Sequence, residues 1–75
     1  QIKVDTRPED QALLPSISNA DDFSATSVGG LRGVVLEEAE ATMLVFPMSD
    51  AEVVIVAPTL QLAELAASQL VRANP

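Results

Sequence analysis

Apolar and polar positions fall into two regimes along this chain. From Leu31 onward, short apolar runs alternate with brief polar breaks. "LRGVVLEE", "ATMLVFPM" and "EVVIVA" are of strand length, rich in Val, Ile and other apolar residues, and bounded by charged or turn residues. Such runs predict strands. In the second run Leu44, Phe46 and Met48 share one face, and Met43 and Val45 the other. Pro47 has no amide hydrogen to give a ladder, so it belongs at a strand end, an edge or a bulge. The third run is apolar on both faces, as in a central or well-covered strand. Residues 38–40 supply one turn and "SDA" the next, so the three strands form an antiparallel meander.

After Pro58 the period changes. At about 100° per residue, Leu62, Ala63, Ala66, Ala67, Leu70 and Val71 fall on one broad arc, and Gln61, Glu64, Ser68 and Arg72 gather opposite. This pattern predicts an amphipathic helix over "LQLAELAASQLVRAN", with Leu62, Ala66 and Leu70 buried and Ser68 in solvent. Leu65 falls at the polar border. Thr59 is the expected N-cap, because its hydroxyl can accept from an orphan backbone amide. No Glu or Gln stands three residues on, so the capping box is absent. The many alanines let such a helix lie close on a sheet.

Residues 1–30 lack this periodicity. Ile2 and Val4 alternate with Lys3 and Asp5, which permits a short strand. "RPEDQALL" has the marks of a helix start, with Pro8 in the first turn, and Pro15 stops it after about two turns. "SISNADDFSATS" reads as a loop, since its side chains compete with the backbone for hydrogen bonds; Ile17 and Phe23 anchor it to a core. Gly29 and Gly30 form a turn that releases the chain into its first strand. The expected fold is a small α+β domain. A three-stranded antiparallel sheet over residues 31–75 carries the C-terminal amphipathic helix on one face, and residues 1–30 form an irregular N-terminal arm or cover.

Length and composition then narrow the function. A chain of 75 residues buries only about 60% of the surface its unfolded form exposes. Small domains add disulfides, a metal or a partner subunit. With no cysteine and no histidine, disulfides are excluded and a zinc site is disfavoured. A partner remains, either a second copy or another protein. The net charge of −7 repels phosphates and anionic lipid heads, so neither nucleic acid nor a membrane surface is an expected partner. No run of about 20 apolar residues is present, so no membrane insertion is expected. The chain begins with no basic region followed by an apolar stretch, so a signal peptide is not expected and a cytoplasmic location is.

Catalytic chemistry has few carriers here. Acid–base work near neutral pH would need a carboxylate with a raised pKa, an arginine, or Lys3, the single lysine. A serine nucleophile has no conventional base. "VGGLRG" is no phosphate loop, because the lysine is missing and a strand follows. "SNADDFS" offers Asn19, Asp21 and Asp22 without the glycine and spacing of a calcium loop. Glu37, Glu38 and Glu40 are the densest acid cluster and read as a solvated hairpin turn. No catalytic residue, metal ligand or cofactor is therefore expected.

The order of "LRGVVLEE", "ATMLVFPMSD", "AEVVIVAP" and "TLQLAELAASQLVRAN" resembles the C-terminal half of the roadblock/LC7 family, over about 45 residues. That resemblance implies a non-catalytic module that dimerises and sits beside small GTPases or in scaffold complexes. The expected function is protein interaction, as a homodimeric or scaffold subunit. The warrant is a hydrophobic content of 48% in a chain too short to hide it all. The candidate interface comprises Leu65, Gln69, Glu37, Glu38, Glu40, Asp50 and Glu52. Two alternatives stay open: an acidic inhibitor or decoy that covers a basic site with those carboxylates, and a small subunit of a multi-subunit enzyme.

Overall fold

The computed structural model describes residues 2–17, 21–48 and 51–73, apart from the Glu9 side chain. Strand β1 (Lys3–Pro8) leads through a 3₁₀ turn at Glu9–Gln11 to the short helix α1 (Leu14–Ile17). Strands β2 (Ser24–Val28), β3 (Leu31–Glu37), β4 (Thr42–Met48) and β5 (Ala51–Ala57) follow, and α2 (Leu60–Ala73) closes the chain. The sheet has five strands, not the expected three, in the order β1-β5-β4-β3-β2. Every neighbouring pair is antiparallel. The expected meander is its centre, and β5 lies between β4 and β1 as its two-sided apolarity demands.

The two additional strands come from residues 1–30, so the irregular N-terminal arm is also corrected. β1 pairs with β5 from Lys3↔Val56 to Pro8↔Ala51, and β2 pairs with β3 from Ser24↔Val35 to Val28↔Leu31. Gly29 (φ +54°) and Gly30 (φ +84°) both adopt positive φ. A two-residue turn of that kind matches the twist of the strands it joins, so it draws the polar segment before it into a hairpin. The helix expected over "RPEDQALL" does not form. Its first residues continue β1, and α1 begins only at Leu14. Pro15 then sits in the first helical turn, where its missing amide hydrogen costs nothing, instead of ending the helix. The radius of gyration is 11.3 Å, against about 11 Å for a compact chain of this length, which leaves no room for an extended arm.

Helix α2 covers one face of the sheet. Register and alternation place Val35, Leu44, Phe46, Val53, Ile55 and Ala57 on that face, and all are buried. Ala63 and Ala67 have no exposed surface. With only a methyl group at each, the helix backbone settles directly onto the strands. Leu60, Ala66, Leu70 and Val71 pack partly against the same core. The buried arc is therefore centred on Ala63 and Ala67, which turns Leu62 outward. It is 38% exposed, where burial was expected, and Ser68 is half-buried instead of solvated. Thr59 caps as expected: its Oγ1 accepts from the Leu62 amide at 3.2 Å.

Gly33 stands next to the end of the β3–β4 ladder. A Cβ there would lie 2.5 Å from the Val45 carbonyl oxygen and 2.9 Å from Phe46 Cβ, so the two strands approach as only glycine permits. The ladder runs from Glu37↔Thr42 to Val34↔Val45 and stops. Pro47 lies beyond it, one residue from the end of β4 and paired only with β5, at Glu52. It occupies the strand-end position its chemistry requires.

Candidate functional site

β1 and β2 are the two edges of the sheet, so the chain between them has to traverse it. Through α1, that segment lies on the face opposite α2. Glu52 alternates with Val53 along β5, which points its side chain to this second face. There its carboxylate accepts from the Leu13 amide through both oxygens at 2.8 Å and from the Leu14 amide at 2.9 Å. Glu52 thus caps the first turn of α1 from a strand 38 residues away in sequence. Arg7 ties the preceding turn to β1, its Nε donating to the Gln11 carbonyl at 2.9 Å. Beneath this crossing lie Val34 and Val45, both buried.

These positions redraw the expected interface. Glu52 is 2% exposed and its oxygens are occupied by backbone amides, so it presents no carboxylate to a partner. Glu37, Glu38 and Glu40 are exposed. Glu37 ends β3, and Glu38 and Glu40 occupy the β3–β4 turn, which the Glu38 amide closes by donating to the Ala41 carbonyl at 2.9 Å. Asp50 and Asn19 lie outside the described residues, and Asp21 and Asp22 are exposed. Leu65 is 56% exposed and Gln69 is exposed beside it. With Leu62 they stand at i, i+3 and i+7, on one outward stripe of α2. The six residues of the expected interface that are described therefore do not converge. Two lie on the outer side of α2, three at one end of the sheet, and Glu52 under the crossing on the other face.

Exposed apolar residues outside the expected interface also lie on and just before β1. Ile2 is 41% exposed and Val4 is 49% exposed. Val4 pairs with Ile55 and so projects from the α2 face of the edge strand β1. Their alternation with Lys3 and Asp5 marked a strand, but nothing marked it as an edge left uncovered. On the second face an open groove beside β2 is lined by Leu14, Ala25, Ser27, Arg32, Val34 and Pro47. Among the described residues no group of three or more Asp and Glu side chains is placed to hold a metal ion. No helix among them is long and apolar enough to cross a membrane.

Comparison with protein families, with curated proteins and with solved structures finds no match for this chain.

Proposed function

We propose that this chain is a non-catalytic protein-association module, a dimerising or scaffold subunit whose contact surface includes the outer side of α2. One observation carries the reading: the fold leaves large apolar side chains outside, with Leu62 and Leu65 on one stripe of α2. Isolated surface leucines need no explanation, but Leu62 and Leu65 stand on one stripe, which Gln69 continues as a polar flank. Such a stripe suits helix-on-helix or helix-in-groove contact. The resemblance of residues 31–75 to roadblock/LC7 modules supports the same class. The decoy reading loses force with Glu52 sequestered, since the other described carboxylates of that candidate set, Glu37, Glu38 and Glu40, lie together in solvent at one end of the sheet.

Sedimentation on the wild-type chain and on Leu65→Asp tests the proposal. The wild type is expected to form a particle larger than its 7.9 kDa monomer at micromolar concentration. Leu65→Asp is expected to weaken that association and to leave the helical circular dichroism unchanged. Association unaltered by Leu65→Asp would remove α2 from the contact surface.

A further inference from the structure

We infer that the free edge of β2 pairs with the same edge of a second copy of this chain, continuing the sheet across a two-fold axis. The inference rests on the association reading above but assigns a second contact, on a different element from α2.

The two edges of the sheet differ in chemistry. β1 carries Lys3, Asp5 and Arg7 and ends on Pro8, and charges and proline are the devices that blunt an edge against further pairing. β2 is Ser24, Ala25, Thr26, Ser27 and Val28, with no charge and no proline. Its small side chains leave the backbone open to approach. Which backbone groups face outward follows from the turn. Gly29 and Gly30, both at positive φ, make a two-residue hairpin whose flanking residues, Val28 and Leu31, form a hydrogen-bonded pair. Antiparallel ladders alternate, so Val28, Thr26 and Ser24 direct their amides and carbonyls to β3. Ala25 and Ser27 direct theirs away from the sheet.

That spacing suits a second copy. Antiparallel self-pairing about Thr26 sets Ala25 opposite the partner's Ser27 and Ser27 opposite the partner's Ala25. These are the residues with outward donors and acceptors, so each pair exchanges both of its hydrogen bonds. Thr26 then meets the partner's Thr26 at the two-fold axis, a favourable cross-strand pair. No like charges come face to face along β2. This matters for a chain of net charge −7, two copies of which repel one another overall. Both copies keep α2 on the same face of the continued sheet, so the outer stripe of each helix stays free.

The test is made in the Leu65→Asp background, where the α2 contact is removed. Sedimentation equilibrium of the Leu65→Asp chain is expected to show a two-chain particle. Adding Ser27→Pro, which deletes an outward amide and spares the β2–β3 ladder, is expected to reduce it to one chain. Adding Thr26→Lys instead, which opposes two lysines at the axis, is expected to do the same. Circular dichroism confirms that both remain folded. In the Leu65→Asp chain itself, amide exchange at Ala25 and Ser27 is expected to slow at least about tenfold between dilute and concentrated samples, with Ser24 and Thr26 unchanged. A Leu65→Asp chain that is already monomeric would overturn the β2 inference and leave the α2 reading standing. A two-chain particle that survives Ser27→Pro and Thr26→Lys, with free exchange at Ala25 and Ser27, would overturn it as well.

Discussion

Removing the Glu52 carboxylate should loosen the crossing between β1 and β2. The side chain is 2% exposed and accepts from two backbone amides at 2.8 to 2.9 Å, distances typical of charge-assisted bonds. A hydrogen bond to a charged group contributes about 1.5–3 kcal/mol, so two donors set an upper limit of about 6 kcal/mol. The crossing segment is half-buried, with Leu13 and Leu14 both partly accessible. Water therefore recovers part of the loss, and Glu52→Ala should cost about 2–4 kcal/mol. Glu52→Gln keeps the volume and one acceptor oxygen but turns an amide donor toward an N–H group, and should cost about 1.5–3 kcal/mol. Either is a large fraction of the roughly 5 kcal/mol at the low end of domain stabilities. Urea melts measure it, with an unchanged slope showing that the unfolded reference is the same. The exposed Glu64→Gln variant controls for the relief of net negative charge. Amide exchange at Leu13 and Leu14 should accelerate in both Glu52 variants. A Glu52→Ala chain within about 0.5 kcal/mol of wild type, with Leu13 and Leu14 still protected, would refute the role given to this carboxylate.

Gly33→Ala should cost about 1–3 kcal/mol in the same melts, the range for forcing extra volume into a packed core, because the added methyl would lie 2.5 Å from the Val45 carbonyl oxygen. Leu70→Ala, truncating a half-buried leucine, should cost about 1–2.5 kcal/mol, about half the range for a fully buried one. Ser68→Ala should stay within about 0.5 kcal/mol, since alanine's better helix propensity offsets a small loss of packing. Chelation by EDTA should leave the melting temperature unchanged; a fall reversed by Ca²⁺ or Mg²⁺ would point to a site among Glu37, Glu38 and Glu40.

The legible part of the fold is the part with strong periodicity. β3, β4, β5 and α2 follow apolar runs long enough to fix both type and order, and Thr59 marks the start of the helix by its own chemistry. β2 was hidden because Ser, Ala and Thr carry almost no apolar signal, and its strand state comes from pairing with β3. The available clue was the Gly29–Gly30 pair, which reads as a hairpin turn once the residues on both sides are treated as strands. β1 was half visible in Ile2 and Val4, but "RPEDQ" offers helix-start chemistry that pairing with β5 overrides. The phase of α2 is not legible in the sequence because Leu62 and Leu70 count alike on a wheel. Close approach favours alanine, so Ala63 and Ala67 set the buried face and leave Leu62 and Leu65 outside. Glu52 was placed among surface acids because one residue of sequence context cannot show that a distant segment returns its amides to it.

We propose that this chain associates through surfaces its own fold leaves uncovered. Sedimentation equilibrium of the wild-type chain across the micromolar range tests it most directly. An average mass above 7.9 kDa is expected, rising with concentration and falling when Leu65→Asp and Ser27→Pro are combined. A folded particle of 7.9 kDa at every concentration would contradict it.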